Sequence, residues 1–302
     1  MKIVSMLPSA TEIICALGLG DQLVGVSHRC DYPVEIEGLA VVTRPIGGRP
    51  PAIAPASTPD DELGPSELDR EALLAAAPDL IIVREGGMGP GPRQIEAAMV
   101  GAEVTPQIVT LGPITLEGIF HSVTTIGAMT EAEDDAIELV EALREDIGEI
   151  EQGVLARQDQ GLRPKRVVVL EGLEPLLSSG RWVPEQVRRS GGWDVLGREG
   201  EPAAPTSWDE IRDIDPEMLL LAPAGMTLLE AQALWRKTAR PEFWLDLEVA
   251  RKGRVFFVEP VYFYRPGPRV VDAVGMLAEI FDPEGFVDTS PPDSWTPLVE
   301  ES

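Results

Sequence analysis

From Glu131 to about Gln160 the chain contains no proline, and Ile137, Val140, Leu143, Ile147, Ile150 and Val154 recur at steps of three and four residues. That spacing puts one apolar stripe on one long α-helix. A helix of roughly 30 residues spans about 45 Å at 1.5 Å per residue. On both sides of it, short apolar runs alternate with helical stretches. Before it, Lys2 to Leu7, Leu23 to Ser27, Val41 to Thr43, Leu80 to Val83 and Gln107 to Leu111 read as strands. Helices are predicted after Ser9 to about Leu17, over Asp69 to Ala77, and from about Leu116 to Ala128. After Pro164 the pattern restarts, with a strand from Arg166 to Leu170 and a helix from Val183 to Ser190 stopped by Gly191-Gly192. Apolar strands separated by helices predict an α/β fold with mostly parallel sheets.

Two stretches have the form of a capping box, Ser9-Ala10-Thr11-Glu12 and Ser207-Trp208-Asp209-Glu210. There a hydroxyl accepts the amide three residues on while the glutamate reaches back. The segment from Leu68 to Val83 is echoed from Ile211 to Ala222 as short helix, Pro-acid turn (Pro78-Asp79, Pro216-Glu217) and apolar strand. The echo predicts two similar lobes, which the spacing places at 1–129 and 162–302, with 130–161 as the bridging helix. A Pro-, Gly- and Ala-rich stretch from Pro45 to Pro65 reads as a surface excursion. The tail from Phe286 to Ser302 carries Trp295 without periodicity and is expected to be a flexible arm folded over the surface.

At 302 residues and 44% apolar, the chain can bury two cores. Its net charge of -26 excludes nucleic acid and anionic membrane surfaces as partners, because a strongly negative field repels phosphate. Arginine greatly outnumbers lysine, a bias that fits a salt-adapted surface and a GC-rich genome alike. No run reaches the ~18 apolar residues of a membrane span, so no membrane insertion is expected. The start, Met1 to Pro8, is about one strand long and lacks the apolar core of a leader. As written this predicts a cytoplasmic product, or an extracytoplasmic one where a leader has been removed. Cys15 and Cys30 are too few for a disulfide framework. The chain has no nucleophile elbow, Walker loop or complete dinucleotide fingerprint, and Gly86-Gly87-Met88-Gly89 lacks the spacing that cradles pyrophosphate. An enzyme would have to use Glu85 with His28 as its acid–base pair, so no catalytic residue is expected.

Three blocks in the first half, Ser5-Met6-Leu7-Pro8-Ser9-Ala10-Thr11-Glu12, Leu23-Val24-Gly25-Val26-Ser27 and Cys30-Asp31-Tyr32-Pro33, resemble the cobalamin-binding proteins of ABC importers. The likeness continues through Pro78-Asp79-Leu80-Ile81-Ile82, Gly86-Gly87, Ser179 to Glu185, Gly191-Gly192 and Tyr262 to Arg269. The pieces stand in order over nearly the whole chain to Phe281 and identify it as similar to class III periplasmic binding proteins, which carry cobalamin, haem or ferric siderophores. The resemblance implies two Rossmann-like lobes joined by the long helix, with ligand clamped in the cleft between them and no chemistry done on it.

In doubly wound sheets, ligands sit beyond the carboxyl ends of strands. That rule selects Pro8, Ser9, His28, Arg29, Arg44, Arg84, Glu85 and Gly86 in the first half. In the second half it selects Glu171, Arg181, Trp182, Tyr262, Tyr264 and Arg265. Where relatives place aromatic residues after the second, third and fourth strands, this chain has Arg29, Arg44 and Arg84. With Arg181 and Arg265 they form a set suited to a carboxylate-bearing ligand, since charge-assisted bonds contribute about 1.5–3 kcal/mol each when partly desolvated. Replacing Arg84 or Arg265 by alanine is expected to weaken binding without unfolding the chain. The alternative for each arginine is a local carboxylate partner, and for Trp182, Tyr262 and Phe263 a place in the core. His28 and Cys30 could offer nitrogen and sulfur to one metal, yet a structural site normally has four ligands, so no metal site is expected.

The expected function is a non-enzymatic solute-binding protein for a small-molecule metal chelate such as cobalamin, haem or a ferric siderophore. It carries no covalently bound cofactor, acts as a monomer, and has an ABC transporter permease as its candidate partner. The alternatives are a cytoplasmic carrier or sensor of a tetrapyrrole or siderophore, and an interaction module with a vestigial cleft.

Overall fold

The computed structural model describes residues 1–46, 65–84 and 86–299; most of the predicted excursion at 45–65 lies outside them. Two compact units emerge. The first comprises 1–113, 117–142 and 265–268, and the second 114–116, 143–264 and 269–302.

In unit 1 the chain runs β1 (Ile3–Ser5), α1 (Pro8–Ala16), β2 (Leu23–Val26), β3 (Ala40–Val41), β4 (Thr43–Pro45), β5 (Ser66–Leu68), α2 (Arg70–Ala76), β6 (Leu80–Arg84), α3 (Pro92–Ala98), β7 (Gln107–Leu111) and α4 (Leu116–Met129). The main sheet has the order β3-β2-β1-β6-β7 and is parallel throughout. Parallel strands covered on both faces read as continuous apolar runs, and Leu80, Ile81, Ile82 and Val83 are all within 1% of full burial. Strands β4 and β5 form a separate antiparallel pair.

Helix α5 (Glu133–Asp159) is the long helix that the apolar period predicts. Its 27 residues span about 40 Å, and the division between units falls within it, after Ala142. Inside unit 2 its last turns are anchored. Val154 packs with Ala278 and Phe286, and Arg157 makes a two-pronged pair with Asp282, Nη2 to Oδ1 at 3.0 Å.

Unit 2 continues with β8 (Lys165–Leu173), β9 (Leu176–Ser178), β10 (Gly180–Arg181), α6 (Val183–Arg189), β11 (Gly192–Asp194), β12 (Arg198–Glu199), β13 (Ala204–Pro205), α7 (Trp208–Ile214), β14 (Met218–Leu221), α8 (Leu228–Trp235), α9 (Glu248–Arg251), β15 (Val255–Val258), α10 (Val261–Tyr264), α11 (Asp272–Phe281) and β16 (Trp295–Pro297). Strands β11, β8, β14 and β15 are parallel, and β9, β13 and β16 add antiparallel edges. One side of its core is an edge-to-face cluster of Trp208, Trp235, Trp244 and Phe257 with ring centroids 5.2–6.4 Å apart.

The internal echo is structural down to single hydrogen bonds. Helices α2 and α7 are N-capped by the side chains of Asp69 and Ser207, and both end in a left-handed residue, Ala77 (φ 45°) and Asp215 (φ 49°). The acid of each Pro-acid turn then clasps the first strand of its own unit. Lys2 N–H donates to Asp79 Oδ2 (2.8 Å) and Arg166 N–H to Glu217 Oε2 (2.9 Å). In return the Asp79 and Glu217 amides donate to the Lys2 and Arg166 carbonyls at 2.8 Å.

Three expectations are corrected. Ser9-Thr11-Glu12 makes no capping box, because Pro8 takes the first helical position and Leu7 is the N-cap, without a side-chain bond. At Ser207 only half the box forms: the hydroxyl accepts the Glu210 amide at 3.2 Å, and the Glu210 carboxylate accepts instead from Thr206. The tail packs on unit 2 as far as Leu298. Phe286 is buried, β16 pairs with β15, and Trp295 stacks on Phe256 while donating to Ser290.

Candidate functional site

Strand order locates the site region in each unit. In unit 1 the chain winds outward from β1 through β2 and β3, then crosses to β6 and β7, so the reversal lies between β1 and β6. In unit 2 the reversal lies between β8 and β14. Diverging connections leave a crevice outside the carboxyl ends of the flanking strands. In unit 1 that edge carries Pro8 and Ser9 at the start of α1, Arg84 as the last residue of β6, and Gly86 in a left-handed turn at φ 79°. Glu85 lies outside the described residues.

His28 and Arg29 follow the neighbouring strand β2 and are half-buried. The Thr43 hydroxyl fixes the His28 ring, accepting the His28 amide at 3.1 Å and bonding Nδ1 at 2.8 Å. Partial burial, with the Arg29 charge beside it, pushes the imidazole pKa down and favours the neutral ring. Cys30 is engaged by hydroxyls, 3.1 Å from Thr11 and 3.2 Å from Ser27. Among the described residues, no group of three or more His, Cys, Asp or Glu side chains could hold a metal ion.

The predicted arginine set divides. Arg29 and Arg84 stand half-buried at the carboxyl edge of the unit 1 sheet. Arg44 lies on β4, 58% exposed, 3.5 Å from Glu67 and 3.6 Å from Asp69. Arg265 belongs to unit 1, where Nη1 lies 3.0 Å from Glu12 Oε1 and 2.6 Å from Asp31 Oδ1, and Nη2 3.2 Å from Asp31 Oδ2. Burial opposes its charge, and the bonds to Asp31 and Glu12 overcome that and hold its pKa above the ordinary arginine value. Arg181 is turned into the core of unit 2, only 3% exposed, with Nη1 3.7 Å from Glu171. Arg44, Arg181 and Arg265 face carboxylates of the chain.

The aromatic candidates of unit 2 are mostly structural. Trp182 is buried at the start of α6, and its indole N–H donates to the Phe263 carbonyl at 2.6 Å. Tyr264 is buried as well, whereas Tyr262 is half-buried under the Arg269 guanidinium, 5.9 Å from the ring centroid. Glu171 and Asp194 sit in the core nearby. Burial pushes Glu171 well above the usual carboxylate range, with the Asp194 charge adding to the shift. Burial also lifts Asp194 to about 6, against the pull of bonds from Ser179 and the Gly197 and Leu196 amides.

Sequence reasoning placed Thr43 in a candidate loop without its bond to His28, and it missed Asp31 and Asp194. Asp31 was legible only as part of a family block, and nothing in the local pattern around Trp193-Asp194 marks a buried carboxyl.

Comparison with known proteins follows this geometry. Residues 3–262 match the periplasmic binding protein family. The chain is 24% identical over 294 residues to the ABC transporter substrate-binding lipoprotein YvrC of Bacillus subtilis, covering 94% of this chain and 81% of that protein. It is 24% identical over 279 residues to the vitamin B12-binding protein of Pectobacterium atrosepticum, covering 91% and 86%. Among solved structures, a periplasmic haem-binding protein from Pseudomonas aeruginosa superposes with a TM-score of 0.70 at 22% identity, over 99% of this chain and 95% of that one. The vitamin B12-binding protein of Vibrio cholerae gives 0.62 at 22% identity, over 93% and 96%.

Proposed function

Because the chain belongs to the periplasmic binding protein family, we propose that it is a non-enzymatic solute-binding protein that holds an acidic metal chelate and delivers it to an ABC transporter permease. Corrinoids, haem and ferric siderophores are the ligand classes in view. Relatives named for vitamin B12 and haem support this reading, and so does the winding of each unit's sheet around a switch point.

The observation that carries the acidic ligand is the placement of Arg29 and Arg84. Arg84 ends β6 and Arg29 follows β2, the two strands that flank β1 in one parallel sheet. Both belong to a chain whose net charge is -26. Half-buried guanidinium groups form charge-assisted, two-pronged bonds with carboxylates such as haem propionates. His28, held by Thr43, adds a neutral imidazole beside them. Delivery to a permease implies an extracytoplasmic setting.

Arg29→Ala and Arg84→Ala test the reading. Each is expected to weaken haem binding about 10- to 100-fold, corresponding to about 1.5–3 kcal/mol per bond, with the thermal unfolding midpoint unchanged. Titration of haem against both variants reads the effect. Unchanged affinity in both would remove the acidic-ligand reading.

A further inference from the structure

Residues 265–268 belong to unit 1, whereas the chain just before and just after them belongs to unit 2. Both legs of this loop are fixed from α6. The Gln186 side chain is fully buried, and its amide nitrogen donates to the Tyr262 carbonyl at 3.1 Å on the incoming leg and to the Val270 carbonyl at 2.8 Å on the outgoing one. Its amide oxygen has no partner among the described residues, so the group serves as a double donor. A buried amide is costly unless its hydrogens are used, and here both go to the loop. The Trp182 indole adds the bond to the Phe263 carbonyl. The apex, Arg265-Pro266-Gly267-Pro268, is stiffened by two prolines with fixed φ and by the Gly267 N–H donating to the Arg265 carbonyl at 2.7 Å. In unit 1 it rests on α1, where a Cβ on Gly267 would lie 3.3 Å from Glu12 Oε2 and 3.5 Å from the Ser9 carbonyl oxygen.

We propose that residues 262–270 are a strap through which Gln186, in unit 2, positions the His28–Asp31 loop of unit 1. Gln186 fixes the two legs, the legs fix Arg265, and Arg265 clamps the loop to α1. The clamp is visible at the guanidinium, whose Nη1 reaches Glu12 on α1 at 3.0 Å and Asp31 in the loop at 2.6 Å, while Nη2 takes the second Asp31 oxygen at 3.2 Å. One residue before Asp31, Cys30 Sγ lies 3.1 Å from the Thr11 hydroxyl of α1, so the same helix and loop touch at a second point. Removing the Gln186 amide leaves two buried carbonyls without their donor, a loss that drives them to seek other partners. Two-pronged bonds tolerate little displacement, so shifted legs disengage Arg265 from Asp31. The consequence for binding rests on the proposed function, because Arg29 lies in the clamped loop; the strap itself does not.

The test is amide hydrogen exchange in the full chain without ligand, comparing wild type with Gln186→Leu. Trp182→Phe is the second, milder variant, which keeps an aromatic ring and removes one donor to the loop should Gln186→Leu not fold. The His28, Arg29 and Cys30 amides report on the clamped loop, since they donate to the Thr43 hydroxyl, the Ser27 hydroxyl and the Ser27 carbonyl. They are expected to exchange about 10-fold faster in the variant, while the Ile81 and Ile82 amides, in the sheet core of the same unit, keep their wild-type rates. Unchanged exchange at 28–30 would overturn the strap. Acceleration shared equally by Ile81 and Ile82 would also overturn it, because it reports a general loss of stability rather than a released loop. Exchange is read without ligand, so the strap can fail while the ligand reading stands, and the ligand reading can fail while the strap stands.

Discussion

Replacing Arg265 by alanine is expected to destabilise unit 1 by about 3 kcal/mol, since removing one partner of a buried pair strands the other charge. Glu12 is 3% exposed and lies on α1, where Arg265 Nη1 is 3.0 Å away. Without the guanidinium its buried carboxylate loses a charge partner 3.0 Å away. Asp31, 66% exposed, returns to water at little cost, so the Glu12 side carries the effect. In thermal unfolding, about 3 kcal/mol corresponds to roughly 5 °C for a chain of this size. A double variant, Arg265→Ala with Glu12→Gln, is expected to recover part of the loss, because two neighbouring groups of one pair are not additive. A midpoint that does not move in Arg265→Ala would restore the expectation that this arginine is available to ligand and dispensable to the fold.

Gly180→Ala is the second large effect, about 3 kcal/mol for overpacking against rigid backbone. A Cβ there would press on the Glu201 carbonyl oxygen and lie 2.6 Å from the Pro202 carbonyl carbon and 2.7 Å from the Ala203 nitrogen. No flexible side chain is present to yield, so the 201–203 segment must move. That segment is tied to the next residue: Arg181 N–H donates to the Glu201 carbonyl at 2.6 Å, and Gly200 N–H to the Arg181 carbonyl at 2.8 Å. The variant therefore also disturbs the residues that place Arg181 and Trp182. Gly253→Ala is the control, a left-handed glycine (φ 62°) with open space around its Cβ, expected to cost about 1 kcal/mol. Equal midpoints for the two variants in denaturant unfolding would show that the 201–203 segment is free to yield.

The fold was legible where a pattern repeats over many residues. Helix α5 declares itself through six apolar positions at helical spacing, and the two Pro-acid turns announce the units because each acid has a fixed task, clasping the amide of its unit's first strand. Local signals failed where a neighbour outweighed them. Pro8 claimed the first helical position and turned Ser9 inward, so the apparent capping box was lost. Trp295 gave no period because its strand has three residues, too few to show alternation.

The candidate site was legible as loops and not as partners. The rule of carboxyl-end crevices selected His28, Arg29 and Arg84, which stand near the carboxyl ends of β2 and β6, and Glu171, which is buried within β8. What the arginines face was hidden. Glu12 and Arg265 are 253 residues apart in sequence, and Glu171 lies 3.7 Å from Arg181 where the β8–β9 pairing shifts register. Long-range charge pairing leaves no periodic trace, so an arginine spent on a distant core carboxylate does not declare its partner in the sequence.

The most direct test of the account is a titration of the purified chain with haem, cyanocobalamin and a ferric siderophore, following absorbance and the thermal midpoint at low and high salt. The account predicts saturable binding of one of the three, with a raised midpoint and an affinity that falls as salt screens Arg29 and Arg84. Absence of any spectral change or stabilisation with all three ligands at both salt concentrations would contradict it.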